Sequence, residues 1–239
     1  MAGLLYAVLA ALGDVVGGLL VVSRPIASRT MLATLVGFGG GFMLAVALVD
    51  MIPAVAGQTG GPLAIVLGYL VVHLTQHSLT PHFHFGEETH KEAMVSRGIG
   101  VWALVGLLPH SFFDGVAISS SFMRSESLGL LVFLAILLHK VPTGVSLASV
   151  MVASGNSAKQ AFLAVIAIAV ATVAGAAATP VFIPLVNHGL ALAAGVTVYV
   201  AASNLIPESQ HSNSWWVQGG VFAGAVVFFV VRALLGGHP

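Results

Sequence analysis

The sequence predicts an all-α integral membrane protein with eight transmembrane helices, and three observations lead to this prediction. Hydrophobic residues make up 58% of the 239 residues and charged residues only 7%, whereas soluble domains carry about 25% charged residues. The apolar runs are continuous rather than alternating, which disfavours a transmembrane β-barrel. A bilayer core about 30 Å thick needs roughly 20 apolar residues per helix, so the chain has room for about eight spans.

Proline, glycine and charged residues interrupt the hydrophobic runs and give the span boundaries. The predicted spans are 2–22, 31–52, 61–80, 99–122, 128–151, 158–182, 188–207 and 214–235. The first run carries Asp14 and has no basic residues before it, so we interpret it as a span rather than a cleavable signal peptide. We expect residues 1–239 to form one transmembrane domain, with residues 81–98 as a polar loop.

The distribution of Lys and Arg predicts the orientation, because cytoplasmic loops are enriched in these residues. Five of them fall in or beside the loops after spans 1, 3 and 5, two lie on the opposite side, and Lys140 lies within a span. These loops are therefore predicted to be cytoplasmic, with both termini outside. The five are Arg24, Arg29, Lys91, Arg97 and Lys159, and the two are Arg124 and Arg232.

Net charge and cysteine content exclude several classes of function. The formal net charge is zero and no basic run is present, so nucleic acid is not an expected partner. The chain has no cysteine, which excludes disulfides and thiolate metal sites.

Spans 2 and 7 resemble each other at an offset of 154 residues. The segment GGFMLAVALVDMIP (40–53) aligns with AGVTVYVAASNLIP (194–207), which places Pro53 opposite Pro207 and Asp50 opposite Asn204. The two spans run in opposite directions, as in the inverted repeats of many transporters. A chance similarity between two Gly/Ala-rich helices that end in Ile-Pro is the alternative.

Two polar pentads lie in the middle of spans 4 and 5, where ionisable groups are costly. The first runs from His110 to Asp114 and the second from His139 to Thr143. Each pair is separated by one helical turn and shares a face. Two histidines and a carboxylate on neighbouring helices are a suitable ligand set for Zn²⁺, Fe²⁺ or Mn²⁺. A proton site, or a His–Asp hydrogen bond that only packs the bundle, stays open.

The two motifs HSFFDG and HKVPTG resemble the paired signatures of the ZIP metal-transporter family, which read HNxPEG and HExPxG. The resemblance extends over nearly the whole chain and implies an eight-helix 3+2+3 fold. It also implies passage of zinc or iron toward the cytoplasm, with one helix bundle shifting against another. The family's primary metal site corresponds to His110, Ser111, Asp114 and His139, with Met43 contributed by span 2.

The chain departs from the family pattern at two positions of span 5. Thr143 replaces the usual carboxylate, and Lys140 follows His139 in place of a polar or acidic residue. This HK pair resembles a subgroup of ZIP proteins. Many family members hold two metals bridged by carboxylates, so we predict that Lys140 occupies the second-metal position and neutralises Asp114. The alternative is that Lys140 extends along its helix to a vestibule.

Further polar residues suggest secondary sites. The loop that begins at residue 81 could hold zinc weakly or be an ordinary solvated loop, and its candidate ligands are His82, His84, Glu87, Glu88 and His90. His73 and His77 of span 3 could extend an exit path or lie at the membrane interface. Asp50 and Glu208 are candidates to line vestibules, and Asp14 is a weaker candidate.

The predicted function is transport of a divalent transition metal, zinc first and iron or manganese as alternatives, toward the cytoplasm. The metal is then cargo, no catalytic cofactor is expected, and the protein is not an enzyme. Two rivals remain, a metal-responsive receptor that does not transport and an intramembrane metallo-hydrolase, although H-E-x-x-H is absent. The expected partners are the metal ion and the bilayer of a prokaryotic cytoplasmic membrane. A homodimer is left open.

Overall fold

The computed structural model describes residues 2–23, 29–77, 97–210 and 215–235, and the regular elements in these ranges are helices. Within these ranges, seven helices are long and apolar enough to cross a membrane, and an eighth apolar helix, α4, is shorter. Eight helical segments thus match the eight predicted spans. The elements are α1 (Ala2–Ser23), α2 (Arg29–Val46), π1 (Ala47–Met51), α3 (Ile52–Ala56), α4 (Gly61–His77), α5 (Arg97–Arg124), α6 (Glu126–Ala153), α7 (Ala158–Ala178), α8 (Ile183–Tyr199), π2 (Val200–Leu205), α9 (Ile206–Gln210) and α10 (Trp215–Leu234).

The helix ends follow from local sequence. Ser125 caps α6 by accepting a hydrogen bond from the Leu128 backbone N–H, and Ser157 forms a capping box at the start of α7. The seventh span was predicted to begin at residue 188, but α8 begins five residues earlier. Pro184 lies in the first turn of α8, where its missing N–H costs nothing, so this proline starts the helix rather than excluding it.

Two π-helical segments interrupt the long helices at matching places. Segment π1 follows α2 and ends before Ile52-Pro53, and π2 follows α8 and ends before Ile206-Pro207. Proline has no N–H to donate to the preceding turn, which disturbs the regular α-helical hydrogen bonds there. The sequence similarity between spans 2 and 7 therefore extends to an irregular feature that is rare in helices.

The helix contacts are related by an exchange of helices. If α1 is swapped with α7, α2 with α8, α4 with α10 and α5 with α6, each main contact is replaced by a contact that is also present. Thus α2 packs on α10 as α8 packs on α4, α1 on α6 as α7 on α5, and α2 on α6 as α8 on α5. We call α1, α5, α6 and α7 the site bundle, because they contact one another and contain the two pentads. Helices α2 and α8 contact this bundle through α6 and α5.

The glycine that follows each pentad lets another helix approach closely. A Cβ at Gly144 would collide with the backbone carbonyl of Asp14 in α1, and a Cβ at Gly115 would collide with that of Thr172 in α7. Backbone contact of this kind is how small residues favour helix packing in membranes, where lipid is as apolar as the protein. The result is that Asp14 and Thr172 lie at the level of the pentads.

Candidate metal site

The side chains of His110, Asp114 and His139 converge inside the site bundle. The Nε2 atom of His110 lies 3.5 Å from Oδ2 of Asp114, and Nε2 of His139 lies 3.4 Å from the same oxygen. One ligand atom from each of the three residues falls within 4.8 Å of the others, and all three residues are buried. The sequence-based pairing of the two pentads is thus matched by the geometry.

Helix geometry explains why these groups meet. His110 and Asp114 are one turn apart on α5, so their side chains share a face. His139 lies on α6, which packs against α5, and the His110 and His139 rings are 5.5 Å apart between centroids. Both histidines occupy the middle of 28-residue helices. The cluster is therefore far from either end of the two helices that form it.

The hydrogen bonding of His139 fixes which ring nitrogen can bind a cation. Its Nδ1 lies 3.1 Å from the backbone carbonyl oxygen of Ala135. Because a carbonyl can only accept, Nδ1 carries the hydrogen, and in the neutral imidazole Nε2 then presents a lone pair. This lone pair faces the Asp114 carboxylate oxygen, which is also an acceptor. Two acceptors at 3.4 Å are a favourable arrangement only when a cation binds between them, and metal-binding histidines commonly donate their other N–H to a carbonyl.

The distances suit a small transition metal. Two ligands that are each about 2.1 Å from a tetrahedral Zn²⁺ lie about 3.4 Å apart, which is close to the two separations from Asp114 Oδ2. The buried Nδ1 of His110 has no hydrogen-bond partner among the described residues. His110 is therefore not fixed by a hydrogen bond at that nitrogen.

Lys140 is fully buried beside the cluster. Its Nζ lies 3.0 Å from Asp114 Oδ2 and 3.1 Å from Asp14 Oδ2, and it donates a 2.8 Å hydrogen bond to the Thr172 hydroxyl. The alternative that Lys140 extends to a vestibule is therefore wrong. A buried ammonium is stable only when carboxylates and hydrogen-bond acceptors surround it, and three helices supply these groups.

Asp14 is the site residue that sequence reasoning underestimated. It was a weak candidate for a vestibule, but its side chain is completely buried and pairs with Lys140. Its second oxygen, Oδ1, has no hydrogen-bond partner among the described residues. A charge balance could have found it, because a lysine predicted inside a span requires a buried carboxylate, and Asp14 is the acidic residue of span 1.

The remaining predicted ligands lie around the cluster with different environments. Ser111 is buried and its hydroxyl has no partner among the described residues, whereas Thr143 donates its hydroxyl hydrogen to the His139 carbonyl at 2.8 Å. Met43 is buried on α2, one turn after Gly39. A Cβ at Gly39 would lie 3.6 Å from the Leu138 carbonyl, next to His139.

Two polar pairs lie at matching positions of the two π-helical segments. Asp50 in π1 accepts a 2.8 Å hydrogen bond from Nε of Arg232 in α10, and Asn204 in π2 donates a 2.9 Å hydrogen bond to Gln76 in α4. Asp50 also lines a cavity of about 310 Å³. The exchange of α2 with α8 and of α4 with α10, which relates the helix contacts, also relates these two side-chain pairs.

Some sequence-based candidates fall outside the residues that the structure describes. They are the loop histidines and glutamates between residues 82 and 90 and the side chains of His77 and Glu208. His73 is exposed on α4, and its ring lies 5.9 Å from that of Tyr199 between centroids.

Comparison with known families gives a match to the ZIP zinc transporter family over residues 71–232. The matched segment is well over half of the chain and contains His110, Asp114, His139 and Lys140. Comparison with curated proteins gives no significant match. The seven apolar helices of spanning length among the described residues agree with the family match in making the chain a multi-pass membrane protein. The chain belongs to the ZIP zinc transporter family.

Proposed function

We propose that this protein carries a divalent transition metal ion, zinc first, across the membrane toward the cytoplasm. The family is one of metal transporters, and the His/Asp cluster supplies a ligand set that zinc prefers. Fe²⁺ and Mn²⁺ suit the same nitrogen and oxygen ligands and are the next candidates. The position of the cluster midway along two apolar helices of spanning length suits an ion that crosses the membrane.

The proposal rests on one observation. Nε2 of His139 and Oδ2 of Asp114, two atoms that each present a lone pair, face each other at 3.4 Å. In the neutral imidazole, the tautomer that the Ala135 carbonyl imposes on His139 leaves no hydrogen on Nε2 for a bond to Asp114. Such a pair in a buried site is unfavourable without a cation. The alternative in which these residues only pack the bundle leaves this arrangement unexplained.

The helix arrangement supports a 3+2+3 fold with an inverted repeat. On this proposal α1, α2 with α3, and α4 form the first repeat, α5 and α6 the central pair, and α7, α8 with α9, and α10 the second repeat. The paired helix contacts and the matching π-helical segments support it. Alternating access then comes from movement of the site bundle against the α2, α4, α8 and α10 helices, with both termini outside.

Lys140 makes the proposed site a single-metal site. An ammonium group 3.0 Å from Asp114 Oδ2 occupies space that a second, bridged ion would need, and it repels such an ion. Thr143 supplies no carboxylate to bridge two metals. We therefore assign the chain to the HK-variant subgroup of the family, with one pore metal.

A metal-responsive receptor is the second candidate, and the same ammonium favours it, because Lys140 competes with metal for Asp114. Uptake of Zn²⁺ into liposomes that contain the purified protein separates the two functions. A transporter produces uptake above that of protein-free liposomes, whereas a receptor binds zinc without uptake. The metallo-hydrolase alternative needs a free carboxylate as general base, but Asp14 and Asp114 both pair with Lys140.

A further inference from the structure

Lys140 has two carboxylate partners, and only one of them belongs to the proposed metal site. Asp114 lies between the histidines and the ammonium, with its Oδ2 within 3.5 Å of all three groups. Asp14 reaches Lys140 from α1 on another side, with its Oδ2 3.1 Å from Nζ. Thr172 completes the environment of the ammonium as a neutral acceptor.

The backbone fixes Asp14 in this position. Helix α1 contacts α6 at Gly13, where a Cβ would lie 2.9 Å from Cβ of Lys140, and at Gly144, where a Cβ would collide with the Asp14 backbone. Neither helix can move closer. A hydrogen bond orients Thr172. Its hydroxyl donates to the Ile168 carbonyl at 3.2 Å and so presents a lone pair to Lys140.

Charge balance decides what each carboxylate can do when a metal ion binds. With neutral histidines, Asp14, Asp114 and Lys140 together carry one negative charge. A bound dication draws Asp114 toward itself, and Lys140 would then be a buried ammonium beside a metal ion without a counter-charge. Such an ammonium would oppose metal binding strongly. Asp14 can supply that counter-charge, because its fully buried carboxylate lies 3.1 Å from Nζ of Lys140. Its Oδ1 has no competing hydrogen-bond partner among the described residues.

We propose that Asp14 is a positioning residue that retains Lys140 in the second-metal position while Asp114 exchanges its ammonium partner for the transported ion. Asp14 acts through Lys140 and is not itself a ligand. The inference rests on the proposed function, because it describes how that site accepts a metal. The proposal thus gives helix α1, which contains neither pentad, a part in metal binding.

Zinc binding to the purified protein, measured by isothermal titration calorimetry, tests this inference. Asp14→Asn keeps the shape of the side chain and removes its charge, so Lys140 depends on Asp114 alone. We expect zinc affinity to fall by about tenfold or more. The double variant Asp14→Asn/Lys140→Met removes the ammonium as well, and we expect its affinity to return to within about threefold of wild type or to exceed it.

Asp50→Asn is the matched control, because it removes a carboxylate from a separate ion pair, with Arg232, outside the metal cluster. We expect it to bind zinc as wild type does. Wild-type affinity in Asp14→Asn, or no recovery in the double variant, would overturn the inference. The second result would mean that Asp14 only supports the fold or is itself a ligand.

Two further readouts keep the outcomes separate. If Asp14→Asn cannot be purified in folded form, the double variant decides, because its neutral pair replaces a buried ion pair with isosteric groups. An affinity tenfold or more below wild type then overturns the inference. Zinc uptake is measured on the same proteins. Binding with the expected order of affinities but without wild-type uptake would support the inference and contradict the transport function.

Discussion

Lys140 and Asp114 form an ion pair in which Nζ and Oδ2 are 3.0 Å apart, inside a bundle where both side chains are buried. The same carboxylate oxygen faces the Nε2 atoms of His110 and His139. Asp114 is therefore shared between an internal cation and the position proposed for the transported one. The properties of the site depend on how these two cations divide a single carboxylate.

The metal stoichiometry of the purified protein tests this division. We expect one pore metal per chain, because we propose that the Lys140 ammonium occupies the second-metal position. Lys140→Glu replaces the cation with a carboxylate, so this variant should gain a second metal, and the pH dependence of its transport should change. Elemental analysis after equilibrium dialysis measures both proteins. Two pore metals in the unmodified protein would contradict the role of Lys140.

The glycines that follow the pentads should be sensitive to a single added methyl group. Gly144→Ala and Gly115→Ala force a Cβ into the backbones of Asp14 and Thr172, which we expect to destabilise the fold by about 1–3 kcal/mol. Gly219→Ala is the matched control on α10, because a Cβ there meets no atom within 4 Å. Thermal unfolding in detergent measures all three variants. Equal stability of Gly144→Ala and Gly219→Ala would exclude close packing of α1 on α6.

The orientation can be tested with single cysteines, because the natural chain has none. Thr59, between α3 and α4, and Lys159, in the first turn of α7, are both exposed. With both termini outside, Thr59→Cys should react with a membrane-impermeant maleimide on intact cells, and Lys159→Cys should react only after lysis. The reverse pattern would show that the membrane orientation is inverted.

The inverted repeat predicts a specific superposition in an experimentally determined structure. Helices α1, α2 and α4 should superpose on α7, α8 and α10 by a two-fold rotation in the membrane plane, with Pro53 over Pro207. The paired packing of α2 on α10 and of α8 on α4 is the physical basis. A superposition that places α2 on any helix other than α8 would reject the repeat.

The approach of His110, Asp114 and His139 was predictable because it depends on local rules. Helical periodicity places His110 and Asp114 on one face, and the short connection at Ser125 makes α5 and α6 antiparallel neighbours. Both rules act within one helix or between consecutive helices. The hydrophobic runs, and the Pro, Gly and charged residues that interrupt them, likewise predicted the eight spans to within a few residues at most ends.

The role of Asp14 could not be predicted in this way, because it depends on a contact between distant parts of the chain. Which face of α1 meets α6 is decided by the close approach at Gly144, which no single-helix periodicity reveals. The hydroxyl of Thr143 shows a related limit. It shares the face of His139, as expected, but its hydrogen bonds to the His139 carbonyl, a choice that spacing does not determine.

Zinc uptake by His139→Ala in proteoliposomes with an internal zinc indicator is the most direct test of transport through this site. Loss of the Nε2 ligand should abolish uptake, since removing only an outer-shell partner of a metal ligand already costs about tenfold to hundredfold, and insertion into the liposomes should stay at the wild-type level. His188→Ala, a half-buried histidine on α8 outside the cluster, should retain most of the rate. Uptake by His139→Ala at the wild-type rate would contradict the central claim that the metal crosses the membrane through the cluster of His110, Asp114 and His139.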